Sequence, residues 1–164
     1  MLGNVGLKTG MVFMDIGCGD GFFTIPAAEI VGSGGKVYAV DANASAIDRL
    51  KSKAAKKRLT NIVTKVGTGE ETIFCEGCAD IVFFSIVLHD FSDPEKVLRN
   101  ARRMIKPTGR LVNLDWKNKD SPFGPPMRIR FSEAKAVSLI EAAGFKVENV
   151  EDSGHYHYIV YAKP

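Results

Sequence analysis

The sequence has little of what marks secreted, membrane-spanning or nucleic-acid-binding proteins. It has three cysteines in 164 residues, too few to staple a fold through disulfides, and it has no glutamine. Lysine and arginine (22) barely exceed aspartate and glutamate (19), and the net charge of +3 is far below the basic excess of a dedicated DNA or RNA binder. No apolar run approaches the roughly 18 to 20 residues that cross a bilayer, and the first ten residues do not resemble a signal peptide. We therefore expect a cytoplasmic protein with no membrane span and no nucleic-acid partner.

Short strand-like runs alternate along the chain with longer helical runs. We predict strands at Met11–Ile16, Lys36–Asp41, Ile62–Val66, Ala79–Ser85, Arg110–Trp116, Lys146–Glu151 and Tyr158–Ala162, and helices at Phe22–Val31, Ala44–Lys57, Pro94–Ile105 and Phe131–Ala143. No repeat or flexible linker divides the chain, so residues 1–164 are predicted to form one α/β domain, with a parallel sheet covered by helices on both faces.

Local signals mark the ends of these predicted helices. Asp93 followed by Pro94 is an N-cap with a first-turn proline. The predicted helix C-termini are marked by Gly32, by Pro107 with Gly109, and by Gly144.

Two predicted loops interrupt the alternation. Residues 68–78 form a short loop where a fully wound fold would have a helix. Residues 117–130 are proline-rich and follow a strand, which places them at the carboxyl edge of the sheet, where open α/β folds bind ligands. We interpret residues 117–130 as a candidate lid.

A glycine-rich turn follows the first predicted strand directly, at Asp15–Gly21. Glycine permits a left-handed backbone there and lets a ligand approach the main chain. About twenty residues after Gly21, the second strand ends in Asp41, a carboxylate placed to accept both hydroxyls of a ribose. Phe22 stands where a dinucleotide fingerprint has its third glycine, so the spacing disfavours a bound pyrophosphate.

With these residues in place, the sequence resembles the class I S-adenosylmethionine-dependent methyltransferases, of the ubiquinone-biosynthesis type. The resemblance spans nearly the whole chain. It rests on Val12–Gly21, Tyr38–Asp41, Ala79–Val82 with Leu88–Phe91, Ile105–Leu111, Gly124–Pro126 and Ala143–Phe145. The resemblance implies a doubly wound, Rossmann-like sheet of seven strands in the order 3-2-1-4-5-7-6, with the last strand antiparallel and S-adenosylmethionine over strands one and two.

The resemblance also assigns the cofactor-binding residues. Asp15 and Gly17 would contact the methionine end, Asp41 would hold the ribose, and Ala42 would border the adenine. The other implied cofactor-binding residues are Cys18, Gly19, Gly21, Thr68 and Ser85. Many relatives carry an acidic residue after strand three that binds the adenine amino group. Residues 67–69 are Gly-Thr-Gly here, which leaves the Thr68 backbone or Glu70 as substitutes.

His89 is the candidate catalytic residue. It lies in Leu88–Asp93, a segment similar to one in small-molecule O-methyltransferases, where the histidine removes a proton from a substrate hydroxyl. Imidazole titrates near neutrality, as such a base should. In relatives of the ubiquinone-biosynthesis type a histidine here need not be a base, so an orienting or packed structural histidine is the alternative.

The candidate lid and the strand before it supply possible substrate contacts. Arg128 and Arg130 could clamp a carboxylate or phosphate, or they are solvated charges ahead of a helix. Trp116 either closes over the substrate with Phe123 or ends a strand in the core. The motifs of nucleic-acid methylation after strand four are missing, which favours a small-molecule acceptor.

Cysteine and histidine spacing does not predict a metal site. Cys75 and Cys78 form a single CxxC pair, whereas a structural zinc needs four ligands. His155 and His157 alternate with tyrosines near the last strand, as strand side chains do.

Three functions compete. The first is methyl transfer from S-adenosylmethionine to a small molecule; the second is a non-catalytic S-adenosylmethionine-binding or regulatory subunit; the third is a nucleotide-dependent oxidoreductase. Only about ten residues precede the first strand, where most relatives have a helix over the pocket. We expect closure by the lid, by residues outside this sequence or by a partner chain, as in a homo-oligomer.

Overall fold

The computed structural model describes residues 2–164. Its strands are β1 (Val12–Ile16), β2 (Lys36–Asp41), β3 (Ile62–Val66), β4 (Ala79–Ser85), β5 (Ile105–Trp116), β6 (Lys146–Ser153) and β7 (His157–Lys163). Its α-helices are α1 (Thr24–Val31), α2 (Ala44–Lys56), α3 (Pro94–Met104) and α4 (Glu133–Ala142). Single 3-10 turns form at Leu88–Asp90 and Met127–Ile129.

Side-chain caps set the start of three of the helices. Asn43, Asp93 and Ser132 each accept a hydrogen bond from the backbone N–H three residues later, at distances of 3.1, 2.8 and 3.2 Å. These bonds satisfy donors that the first helical turn leaves free. The N-cap predicted at Asp93 is confirmed.

The seven strands form one sheet in the order β3-β2-β1-β4-β5-β7-β6. All neighbouring pairs from β3 to β5 are parallel, and β7 is antiparallel to both β5 and β6. The predicted fold class and strand order are therefore confirmed. Since β7 runs in reverse, its first residues lie at the edge where β1, β4 and β5 end.

Helices cover both faces of the sheet. On one face, residues 2–11 and α1 pack with Phe13, Phe83 and Val112, and α2 packs beside them through Ile47 and Leu50. On the other face, α3 and α4 pack on a larger cluster that includes Met14 and Phe84. No helix in residues 2–164 has the length and apolar character needed to cross a membrane.

Several predicted boundaries are wrong by one or two residues, at β1, α2, α3, α4, β6 and β7. Two further differences, at α1 and β5, have a clear local cause. α1 begins at Thr24 instead of Phe22, because the turns after the glycine-rich segment continue through Phe23. The strand predicted from Arg110 begins at Ile105, directly after α3, so Pro107 and Gly109 lie within β5. A register irregularity between β4 and β5 at Ala79 and Ile81 accommodates them. Residues 68–78 form no helix, as expected.

Candidate cofactor and acceptor site

The glycine-rich turn adopts a backbone that favours glycine at its key positions. Gly17 has φ of 77° and Gly19 has φ of 53°, both in the left-handed region. A Cβ atom at Gly17 would collide with Val87, whereas one at Gly19 would meet no protein atom within 4 Å. The open side of Gly19 faces a cavity, so a ligand can approach the main chain there.

Asp15 is buried at the end of β1 beneath this turn. Its carboxylate accepts a hydrogen bond of 2.6 Å from the Thr24 hydroxyl at the start of α1. Burial, reinforced by the negative charge of Asp41, raises the pKa of Asp15 to about 7, although the Thr24 bond opposes the shift. The carboxyl group therefore titrates near neutral pH and gains from a cation placed beside it.

Asp41 connects the end of β2 to the glycine-rich turn. One carboxylate oxygen accepts from the Gly19 N–H and the other from the Asn43 N–H, both at 2.8 Å. Each oxygen keeps a further lone pair for a ligand hydroxyl. Asp41 consequently shapes the turn and is also available to a ribose.

A cavity of about 220 Å³ lies at the ends of β2 and β3. We call it the nucleoside cavity; it is lined by Gly17, Val40–Ala42, Gly67–Glu70, Val87 and Asp90–Ser92. Its walls are held by polar contacts: the Glu70 carboxylate accepts from the backbone N–H of Ser92 and of Asp93, and Asn100 donates to the Gly69 and Glu70 carbonyls. Glu70 is thus engaged in the loop, which leaves the exposed Thr68 as the better substitute at the adenine end.

A second cavity of about 460 Å³ lies over the ends of β1, β4 and β5 and shares Gly17 with the first. We call it the acceptor cavity; it is lined by Asp15, Gly17–Asp20, Phe22, Phe23, Ser85, Ile86, Leu114, Ser153 and His157. Ile86 has φ of 57°, an unfavourable backbone for a β-branched residue, and its N–H donates to Leu114 O at 2.7 Å. Such strain persists where surrounding contacts fix it, often at functional sites.

His89 lies outside both cavities. Its Nδ1 is 2.7 Å from the Asp115 carboxylate on β5, and both side chains are buried. Burial opposes protonation of the ring, but the hydrogen bond and charge of Asp115, with the charge of Asp90, outweigh it and raise the pKa of His89. Asp115, which sequence reasoning missed, is the main partner, while Asp90 is 3.5 Å from Nε2.

The candidate lid is held together by Arg130. Its guanidinium donates five hydrogen bonds to the same segment, to the carbonyls of Lys117, Lys119, Phe123 and Pro125 and to the Ser121 hydroxyl. It also lies over the Trp116 ring, at 5.0 Å from the centroid. Arg130 is therefore occupied within the segment, and this geometry does not favour the substrate clamp expected of it.

The other expected substrate contacts also lie outside the acceptor cavity. Trp116 ends β5, is buried, and packs against Phe123 and His157, which fits the alternative of a strand end in the core. Arg128 is exposed on the 3-10 turn.

The two nearby cysteines are joined in a disulfide, Cys75–Cys78, in the segment before β4. Cys18 is free and buried in the glycine-rich turn, and burial raises the pKa of its thiol. Within residues 2–164, no group of three or more histidine, cysteine or acidic side chains is arranged to hold a metal ion.

The structure brings most of the expected cofactor residues to the two cavities. Asp15, Gly17, Cys18, Gly19 and Ser85 line the acceptor cavity, and Asp41, Ala42 and Thr68 line the nucleoside cavity. Gly21 lies behind the turn, where a Cβ would collide with Leu50.

Sequence reasoning missed the residues that close the acceptor cavity. The sequence pattern predicts Phe22 as the start of a helix, yet Phe22 is 77% exposed and lines the cavity. The pattern predicts His157 only as an ordinary strand side chain. The sequence signal that could have indicated a site role for His157 is its position at the start of an antiparallel strand, because that start lies beside the carboxyl ends of the parallel strands.

The sheet order and the glycine-rich turn are those expected of the S-adenosylmethionine-dependent methyltransferase fold. Residues 7–161 match the family described as methyltransferase domain, and this chain belongs to that family. The cofactor of this class is S-adenosylmethionine.

Individual relatives agree with this assignment. The chain is 30% identical over 152 residues to the ubiquinone/menaquinone biosynthesis C-methyltransferase UbiE of Vibrio vulnificus, covering 92% of this chain and 57% of that protein. It is 32% identical over 104 residues to nocamycin O-methyltransferase of Saccharothrix syringae, covering 63% of this chain and 37% of that protein. The chain thus spans less than two thirds of the length of these curated relatives.

A solved structure is similar over nearly the whole chain. The crystal structure of a SAM-dependent methyltransferase from Aquifex aeolicus superposes with a TM-score of 0.93 at 32% identity, covering 98% of this chain and 86% of that one. The [4+2]-cyclase SpnF has the same fold, with a TM-score of 0.85 at 15% identity.

Proposed function

We propose that this protein transfers a methyl group from S-adenosylmethionine to a small, largely apolar acceptor. The observation that carries the proposal is the pair of cavities that meet at Gly17. The nucleoside cavity presents the Asp41 carboxylate and backbone groups, as a nucleoside requires. The acceptor cavity combines the apolar side chains of Phe22, Phe23, Ile86 and Leu114 with a few polar groups, as a small molecule with an apolar body requires.

The residues present fit the cofactor. The open face of Gly19 is a cradle that a side chain would fill, and Asp15 is a buried carboxyl group whose charge needs a cationic partner. We assign Asp15 and Gly17 to the amino-acid end of S-adenosylmethionine, with Cys18, Gly19 and Ser85 beside it. Asp41 takes the ribose, and Ala42 and Thr68 border the adenine. When bound, the cofactor supplies a methyl group on a sulfonium cation.

The protein's own part in the reaction is alignment and exclusion of water. Phe22 and Phe23, before α1, line the acceptor cavity, as do Ile86, directly after β4, and Leu114 of β5. Displacement at a methyl group needs the acceptor atom held in line with the carbon–sulfur bond, so apolar walls that fix the acceptor contribute directly to the rate.

For the acceptor we propose an aromatic compound with a hydroxyl group, methylated at oxygen or at a ring carbon. The relatives named above include a C-methyltransferase and an O-methyltransferase, and the phenylalanine and aliphatic side chains that line the acceptor cavity suit an aromatic ring. His89 does not line the acceptor cavity, and its side chain is 1% exposed. We therefore assign His89 to holding the loop after β4 through Asp115, instead of to proton removal.

An acceptor panel tests the proposal. Wild-type protein and Gly19→Val, which fills the cradle, are incubated with S-adenosylmethionine and 1-naphthol, 1,4-naphthohydroquinone, 1-naphthylamine or 2-naphthalenethiol. Products are identified by mass spectrometry. We expect methylation of a hydroxylated compound by the wild type alone. Tight binding of S-adenosylhomocysteine with no turnover of any compound would instead support a non-catalytic binding subunit.

A further inference from the structure

His157 is the histidine that faces the acceptor cavity. It begins β7 and pairs with Trp116 at the end of β5. The imidazole lies against the Trp116 indole, with ring centroids 4.1 Å apart, and it lines the acceptor cavity together with Ser85 and Leu114. The ring planes are tilted by 45°, and the contact restricts the imidazole. Its Nε2 is buried and has no hydrogen-bond partner within residues 2–164, so the proton-accepting nitrogen on the cavity side is Nδ1.

The pleat of the sheet explains why this histidine faces the acceptor cavity and His89 does not. Successive side chains of a strand point to opposite faces. Leu114 and His157 project to the face that also carries Asp15 and Ser85, which line the same cavity. Asp115 projects to the other face, and its bond to His89 holds that imidazole there.

From this geometry, and resting on the proposed function, we propose that His157 contacts the hydroxyl group of the acceptor and receives its proton during methyl transfer. The residue is partly buried and lines the cavity, so it can touch a ligand that fills this space. Ser153, from the end of β6, lines the same wall and supplies a second polar group for the acceptor.

The charges around His157 favour a neutral imidazole. Burial lowers the pKa of His157, the positive charge of Arg130 lowers it further, and the negative charge of Asp115 opposes the shift. Asp15 and Asp20 are the other titratable acids that line the cavity. A neutral ring at pH 7 has a lone pair free to accept a proton.

The proton and electron balance is the same for oxygen and carbon acceptors. The hydroxyl proton passes to the imidazole, and the electron pair left on the acceptor forms the new bond to the methyl carbon while the carbon–sulfur pair stays on sulfur. For a ring carbon, the ring hydrogen then leaves and the oxygen is reprotonated, which restores the aromatic ring. In both cases one proton remains on His157 and is released to solvent.

Kinetics of matched variants test the inference. We compare wild type, His157→Gln, His157→Asn and His155→Gln on the accepted hydroxylated compound at saturating S-adenosylmethionine, from pH 4.5 to 9. His155 is the matched control, because it is an exposed histidine two residues away. We expect kcat to fall roughly 10²-fold or more in both His157 variants. The wild-type pH profile should show kcat increasing with pH below about 6.5, and the variants should lose this acidic limb. His155→Gln should stay within twofold of wild type, and S-adenosylhomocysteine affinity should stay within threefold in every variant.

If either His157 variant keeps a kcat within threefold of wild type and retains the acidic limb of the pH profile, the inference is overturned while the proposed function stays intact. Loss of S-adenosylhomocysteine binding in both His157 variants would also overturn it, since the residue would then support the fold or the cofactor.

A measurement on unmodified protein separates this inference from the proposed function. Wild-type protein saturated with S-adenosylhomocysteine is titrated with 1-naphthol, and the imidazole resonances are followed by NMR. A shift of the His157 resonances and of its pKa, with His155 unchanged, supports the contact even if no compound of the panel is methylated. Binding of 1-naphthol without any change at His157 overturns the contact.

Discussion

Asp15 combines burial with a direct position in the site, and this predicts a pH-dependent cofactor affinity. Ligand-free Asp15 has a pKa of about 7, above the 3.8 of an exposed carboxyl group, so its ionised form destabilises the fold. That penalty is complete above pH 7 and disappears as the pH falls toward 4. A ligand ammonium beside Asp15 needs the ionised form. Affinity for S-adenosylhomocysteine should therefore fall below pH 7, by up to about tenfold per pH unit.

Calorimetric titration from pH 5 to 8 measures this dependence. Asp15→Asn removes the titrating group, so its affinity should be low and nearly independent of pH. A wild-type affinity that is flat over this range would place the ligand's amino group elsewhere.

Asp41 is expected to act both on the glycine-rich turn and on the ligand. Asp41→Ala removes the acceptor for the Gly19 and Asn43 N–H groups as well as the ribose acceptor, so it should weaken S-adenosylhomocysteine binding by about 1.5 to 3 kcal/mol. Asp41→Asn keeps one oxygen and should lose less. Asp48→Asn, at an exposed position on α2, controls for the change of charge. Unchanged affinity in Asp41→Ala would remove Asp41 from the site.

His89 should contribute to stability more than to turnover. Removing it leaves the Asp115 carboxylate buried without its partner, and a broken buried pair costs about 3 to 5 kcal/mol. The raised pKa of His89 gives the sign of the pH dependence: the charged pair stabilises the fold fully at low pH, and this contribution is lost as the pH rises through the folded-state pKa.

Urea unfolding of His89→Ala and wild type at pH 6 and pH 9 therefore should show the larger difference at pH 6. An equal loss at both pH values would mean that folding does not raise the pKa of His89. A 10²- to 10⁴-fold loss of turnover with unchanged stability would restore the role of His89 as the base.

At the scale of elements, the segment 117–130 depends on one side chain. Arg130→Gln should leave the sheet intact but release the five hydrogen bonds that hold this segment. Amide hydrogen exchange within 117–130 should then become faster. Arg128→Gln is the matched control, since Arg128 is exposed on the same segment. Equal exchange in the two variants would show that other contacts hold the segment.

The elements differ in how far the sequence predicts them. The strands β2, β3 and β4 have the predicted bounds, because each is a short run rich in β-branched or aromatic residues with polar or glycine residues beside it. The start of β5 was missed because Pro107 and Gly109 are local signals against a strand. Pairing with β4 overrides them through a register irregularity.

The parts of the site that could be predicted from the sequence are those that belong to local sequence motifs. The glycine-rich turn and Asp41 are close in sequence to the strand ends that place them. The pairing of His89 with Asp115 spans 26 residues, and His157 reaches the acceptor cavity only because β7 is inserted beside β5. Such contacts depend on the tertiary arrangement and leave no periodic signal.

At the scale of the whole molecule, the sheet order explains how distant residues form one site. The parallel strands β1, β2, β4 and β5 end at one edge, and the reversed β7 begins there. In the proposed site, the cofactor contacts lie mainly after β1 and β2, while β4, β5 and β7 contribute to the acceptor cavity. The two sites share the glycine-rich turn.

The central claim is that the nucleoside cavity and the glycine-rich turn hold S-adenosylmethionine, and ligand-dependent thermal unfolding tests it most directly. A ligand that binds only the native state raises the unfolding temperature by mass action. S-Adenosylmethionine and S-adenosylhomocysteine should each raise the Tm in a concentration-dependent manner, whereas NAD should not, because the turn lacks the third glycine of a pyrophosphate site. Stabilisation by NAD alone, or no stabilisation by either S-adenosyl compound at millimolar concentration, would contradict the claim.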